Sequence, residues 1–149
     1  MGYTHHWYRK PVLDADKFKA AIADCKKACA ASHVTMAAEF GDSTVRIDGG
    51  CETFTVEQAS IGRFRDGRVF EFCKTEKMPY DLCVTACLIV FKHHFGDDFI
   101  VTSDGEDKGF AGARTLCQKA LGYGSGFKVD PRQKVDDEYD LPSTFPAAE

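Results

Sequence analysis

Lys74, Thr75, Lys77, Tyr80 and Asp81 are crowded into the stretch FEFCKTEKMPYDLCVTACLIVFKHHFG, residues 70–96, where an alternating segment meets the most apolar run of the chain. A strand that ends at Cys73-Lys74 and a helix that begins near Tyr80 would turn free backbone N–H groups and the positive end of a helix dipole toward the loop between them. Two lysines and a hydroxyl beside such a helix start have the composition of an anion or phosphate pocket. Asp81 belongs to the same site and competes with an anion for those N–H groups. On the first strand, simple alternation sets Tyr3, His5 and Trp7 on one face, where aromatic rings beside an imidazole suit a planar base or a sugar. The resulting expectation is a ligand site in which Lys74, Thr75 and Lys77 hold phosphate and His5, Trp7 and Tyr80 contact base or sugar. Glu52 and Asp104 would receive ribose hydroxyls.

Other chemistry is weaker. Cys25 and Cys29, with Cys83 and Cys87, form two pairs at i and i+4, a spacing that zinc can use, but each pair lies on an apolar stripe where reduced cysteine packs as a small hydrophobe. No metal or cofactor is therefore expected. His33-Val34-Thr35 is half of a paired His-x-Thr signature whose second half is absent. Ser103-Asp104-Gly105-Glu106-Asp107 offers carboxylates for a divalent ion or a general base, but Asp-Gly is an ordinary turn and Glu106 and Asp107 are what a helix start prefers, so it reads as a turn before a helix. The sequence has no Gly-x-Ser-x-Gly elbow, Walker-type loop or His-Glu-x-x-His helix. An enzyme reading would rest on His5 as acid/base, with Glu52, Asp81 or Asp104 as its partner.

These side chains need a scaffold. Tyr3 to Arg9 reads as a first strand, ending before Lys10-Pro11. Asp14 caps a helix whose stripe is Phe18, Ile22, Cys25 and Cys29 and which ends near Ser32. Strands follow at Val34–Phe40, Thr44–Asp48, Glu52–Val56 and Arg68–Lys74, divided by Gly41-Asp42, Gly49-Gly50 and Asp66-Gly67, turn dipeptides of antiparallel hairpins. A second helix runs from about Pro79–Asp81 to Gly96, and its apolar residues from Leu82 to Phe91 leave almost no polar face, so it must be buried. Phe99–Ser103 is a further strand, and Phe110 to Leu121 a third helix stopped by Gly122. The expected fold is α+β: a mostly antiparallel sheet of five to six strands packed with three helices. Residues 1–127 form one domain. Residues 128–149, with Pro131, Pro142 and Pro146, form an acidic arm able to grip its own domain or a neighbour through Tyr139, Leu141 and Phe145.

Charge and cysteine usage narrow the partners. The formal net charge of −4 comes from residues 129–149, and residues 1–128 are balanced. With no basic cluster, nucleic acid is not an expected partner. The longest apolar run is too short to span a bilayer and no signal peptide opens the chain, so no membrane partner is expected. Seven cysteines placed in helices and strands suit a reducing compartment, and the expected location is cytoplasmic.

MGYTHHWYRK resembles the opening of a group of small, uncharacterised phage and bacterial proteins that begin Met-Gly-Tyr-Thr-His, then an aromatic residue and Trp. FCKTEKMPYDLCVTACLIVFKHHFGD, SDGED and LCQKALGYG are similar to the rest of that group's pattern, so the likeness spans most of residues 1–127. His6 departs from the aromatic residue of the pattern. The resemblance implies a phage or prophage setting and hence the host cytoplasm. The expectation that follows is a counter-defence protein that binds and sequesters a small anionic, nucleotide-like signal, as a homo-oligomer with the arm crossing to a neighbour. The alternatives are a small hydrolase or lyase acting on such a ligand, and an inhibitor of a host defence protein.

Overall fold

The computed structural model describes residues 3–65 and 67–131. The arm residues Tyr139, Leu141 and Phe145 lie outside that range. In chain order the described elements are β1 (Thr4–Arg9), α1 (Ala15–Ser32), β2 (Ala37–Phe40), β3 (Thr44–Asp48), β4 (Phe54–Glu57), β5 (Arg63–Arg65), β6 (Arg68–Lys74), α2 (Asp81–Phe95), β7 (Phe99–Ser103) and α3 (Ala111–Leu121), with two short 3-10 turns at Gly96–Asp98 and Asp107–Phe110. The α+β class follows, with three helices and only antiparallel strand pairs.

The expected single sheet is two. One has the order β5-β6-β1-β7 and the other β2-β3-β4. They separate because the chain between β4 and β5 does not make a hairpin: it is tied back by a bridge between Val12 and Ala59 and by Leu13 N–H donating to Gln58 O at 2.9 Å. β5 is the strand missing from the sequence expectation. Its register with β6 sets Arg63 opposite Phe70 and Arg65 opposite Arg68.

Helix signals in the sequence are realised locally. The Asp14 carboxylate accepts from Lys17 N–H at 2.9 Å and starts α1, and His33, in the left-handed region at φ 59°, ends it with its N–H on Ala30 O. α2 is stopped by Gly96 at φ 56°. Every residue of α2 from Cys83 to Phe91 is buried. α1 and α3 pack on it, as does β7, and Phe91 is ringed by Phe18, Phe95 and Phe99. Each such side chain contributes roughly 1.5–3 kcal/mol on full burial. The Cys25, Cys29, Cys83 and Cys87 side chains all lie in this core, with Cys29 and Cys87 sulfurs 3.8 Å apart.

Arg9, at the end of β1, carries a fully buried guanidinium that donates to the carbonyls of Glu57, Gln58 (2.8 Å) and Pro11 (3.2 Å), while its Nε donates to Lys10 O. Glu71 approaches it to 3.8 Å. Burial lowers the guanidinium's pKa, and the Glu71 and Glu57 carboxylates oppose that shift. This one side chain stitches the four-stranded sheet to the chain that leaves β4.

Candidate functional site

β1 runs between β6 and β7 and antiparallel to both. Thr4 lies opposite Lys74 and His5 opposite Cys73 and Ser103, so the beginning of β1 meets the ends of both neighbours. Two loops leave the sheet there, 75–80 toward α2 and 104–110 toward α3. Between them opens a cleft of about 920 Å³, lined by Tyr3, Lys77, Asp81, Asp104, Gly105, Lys108 and their neighbours. That volume is the size of a site for a small organic ligand.

The loops are anchored on β1. Thr75 and Glu76 N–H both donate to Tyr3 O, at 3.1 and 3.3 Å; Asp104 N–H donates to Thr4 O, and Thr4 N–H returns to the Asp104 carboxylate, both at 3.0 Å. The Tyr3 ring is wedged between the walls. Lys77 Nζ lies 4.9 Å from its centroid, and a Cβ at Gly105 or Gly109 would collide with its hydroxyl, so both positions need glycine for space. Burial raises the Tyr3 pKa, with Asp81 and Asp104 adding to it. Glu76, Lys77 and Glu106 hold φ between 53° and 59°. Non-glycine residues in that region carry backbone strain, and strain of this kind collects at functional sites.

Behind the cleft wall lies a hydrogen-bonded chain. His5 is fully buried; its Nε2 is 2.6 Å from Asp81 Oδ1 and its Nδ1 2.7 Å from Ser103 Oγ. Thr75 Oγ1 donates to the same Asp81 oxygen at 2.6 Å, and Ser103 Oγ accepts from Gly105 N–H at 2.9 Å. A carboxylate only accepts, so in the neutral ring Nε2 carries the hydrogen and Nδ1 takes the Ser103 hydroxyl. Two short charge-assisted bonds thus fix Asp81 Oδ1. Asp81 Oδ2 has no protein partner among the described residues, and the side chain, 16% exposed, borders the cleft. The outcome is a carboxylate oxygen held ready for a hydroxyl or amino group.

The expected site residues divide into three sets. Lys77, Asp81 and Asp104 line the cleft, while His5 and Thr75 stand behind it through Asp81. Lys74, Glu52 and Tyr80 form a separate knot: Lys74 N–H donates to Glu52 Oε1 at 2.8 Å, Tyr80 hydroxyl to Glu52 O at 2.6 Å, and Lys74 Nζ pairs with Glu76 at 3.6 Å. Trp7 is in the core, against Phe54 and Phe99, with its indole N–H on Glu71 at 2.7 Å. A base cannot stack on it there.

The free N–H groups expected at the start of α2 are also engaged. Asp81, Leu82, Cys83 and Val84 donate to Met78, Pro79 or Tyr80 carbonyls at 2.8 to 3.4 Å, because the chain enters the helix through a tight turn. Thr75 Oγ1 is taken up by the Asp81 carboxylate. The cleft carries Glu76, Asp81, Asp104 and Glu106 against Lys77 and Lys108, so it favours hydroxyl-rich ligands of low charge over polyanions. Sequence reasoning missed Ser103, Gly105, Lys108 and Gly109 as parts of the site. Alternation along β7 sets Ser103 on the face of Val101, but nothing in the sequence pairs it with His5. Among the described residues, no three His, Cys, Asp or Glu side chains converge as metal ligands, and no helix is long and apolar enough to cross a membrane. In comparisons with known proteins, no family model, no curated sequence and no solved structure matches this chain.

Proposed function

We propose that the protein binds a small nucleotide-like molecule in the cleft between loops 75–80 and 104–110 and holds it without turnover. The observation that carries this reading is Asp81, which lines the cleft with one oxygen fixed by the buried His5 and Thr75 and the other without a protein partner among the described residues. Asp81 and Asp104 accept ribose hydroxyls, and Lys77 and Lys108 neutralise one or two phosphates. In a phage setting, as the resemblance implies, such binding would sequester a host nucleotide signal. The test is a thermal-shift panel of cyclic mono-, di- and trinucleotides and ADP-ribose derivatives, with mass spectrometry of each hit after heat release. A shift with the ligand returned whole supports the reading. No shift across the panel removes it and turns attention to a protein partner.

The Ser103–His5–Asp81 chain favours a second reading, hydrolysis, with Ser103 as nucleophile. Against it, Ser103 is 3% exposed and its oxygen already accepts Gly105 N–H, so attack would require the 104–110 loop to open. Ligand returned in pieces, with turnover lost in Ser103→Ala, would establish this reading in place of the first.

A further inference from the structure

The hydrogen-bonded chain behind the cleft has a direction, and a backbone amide sets it. Gly105 N–H donates to Ser103 Oγ at 2.9 Å, and a backbone N–H can only donate. Ser103 Oγ accepts there and turns its own hydrogen to His5 Nδ1, 2.7 Å away, which leaves Nε2 of the neutral ring to carry the hydrogen toward Asp81 Oδ1 at 2.6 Å. Thr75 Oγ1 donates to the same oxygen at 2.6 Å. His5 and Thr75 are 0% exposed and Ser103 3%, so water does not offer these groups another arrangement. Reversing the chain would place a hydrogen on Nδ1 and leave the buried Ser103 hydroxyl hydrogen with no acceptor among the described residues, which burial makes costly.

Asp81 is thereby held as an acceptor. Its Oδ1 is filled by two donors, its Oδ2 has no protein partner among the described residues, and the side chain lines the cleft. A neutral acid would donate from the second oxygen, whereas a carboxylate only accepts. The same cleft carries Glu76, Asp81, Asp104 and Glu106 against Lys77 and Lys108, a balance that suits one phosphate better than several.

We infer that the ligand is a nucleoside monophosphate with a ribose hydroxyl that donates to Asp81, which makes Asp81 the specificity-determining residue; this rests on the nucleotide-binding reading above. His5, Thr75 and Ser103 are positioning residues that act through Asp81. A ribose alkylated at that hydroxyl presents an acceptor to an acceptor and is refused. In Asp81→Asn the buried His5 and Thr75 donors keep the amide oxygen in the place of Oδ1, so the amide nitrogen takes the other place and the refusal is lifted.

The first measurement needs no ligand. Long-range proton–nitrogen NMR of the wild-type chain should find the His5 hydrogen on Nε2; a bare Nε2 would overturn the inference and leave the binding reading standing. The second is calorimetric titration of adenosine and uridine 5′-monophosphates, each with its 2′-O-methyl and 3′-O-methyl forms. Methylation at one of the two positions should weaken binding to the wild type by about tenfold or more, and to Asp81→Asn by less than about threefold. A penalty as large in Asp81→Asn as in the wild type would be steric and would overturn the inference. So would failure of both monophosphates at millimolar concentration while another member of the nucleotide panel binds. Absence of binding by every nucleotide would remove the reading as well.

Discussion

The two ends of α2 carry the same pair of groups and use them differently. At the amino end, His5 is fully buried and holds Asp81 at 2.6 Å beside a cleft of about 920 Å³. At the carboxyl end, His94 meets Asp24 at 2.9 Å, Tyr123 donates to the same Asp24 oxygen at 2.7 Å, and His93 stacks on Tyr123 with centroids 3.6 Å apart. Both are His–Asp pairs with a hydroxyl partner. The first is walled in behind a large polar cleft; the second fastens α1, α2 and the chain after α3 at the surface, beside a hollow of about 240 Å³. A histidine–carboxylate pair therefore says little by itself, and what it borders decides whether it is a site or a clasp.

The sharpest way to break this contrast is to delete each histidine in turn. His5→Ala leaves Asp81 and Ser103 without their buried partner and should cost about 3 kcal/mol in urea unfolding, whereas His94→Ala, at a partly exposed pair, should cost less than about 1 kcal/mol. Equal losses would make the two ends equivalent. Next in size is binding: Asp81→Asn should weaken a ligand found in the thermal-shift panel by about tenfold, or 1.4 kcal/mol, while Asp24→Asn leaves its titration unchanged. Lys77→Ala should weaken the same ligand less, roughly threefold at low salt, and the difference from wild type should shrink as salt screens the exposed ammonium.

The smallest expected effect is at the carboxyl end. Burial lowers the His93 pKa, and His94 nearby lowers it further against the opposing pull of Asp24. Because the folded ring binds its proton less readily than the unfolded one, stability contributed by neutral His93 is complete above the ordinary imidazole value of about 6.5 and declines as pH falls below it. The ring is exposed, so the urea midpoint should drop only slightly between pH 7.5 and 5.5, and His93→Gln should lessen that drop. A midpoint that rises on acidification would reverse the assigned sign.

Thiols on α2 and on the elements packed around it report on packing. Burial raises the Cys73 and Cys117 pKa to about 12 and pushes Cys25 and Cys87 up as well. Of the seven cysteines, six are buried and Cys51 is partly exposed. A thiol reagent should modify Cys51 first in the native protein and all seven in denaturant.

Much of the scaffold was legible because its signals are local. Asp14, Gly96 and Gly122 mark helix ends, and alternation marks Thr44–Asp48, Arg68–Lys74 and Phe99–Ser103 with the bounds the structure has. The division into two sheets was not legible, since it depends on Leu13 and Arg9 bonding to residues more than forty positions away. The site was legible in part for the same reason. Asp81 and Lys77 declare themselves as polar groups next to an apolar helix. Trp7 and His5 share a strand face, yet one enters the core and the other meets Asp81, and only the packing of Phe54 and Phe99 against Trp7 decides it. Ser103 joins His5 across 98 positions, a separation no local pattern records.

The place of β1 bears on how the molecule is made. It leaves the ribosome before its two neighbours, β6 and β7, which are synthesised about sixty and ninety residues later. Its terminal guanidinium finds its carbonyls only when Gln58 has emerged. The strand at the centre of the larger sheet thus waits for nearly the whole described chain. Helix α1, whose cap and stripe are contiguous, is the element free to form early, and closure of the larger sheet around β1 is a late and slow step governed by distant pairings.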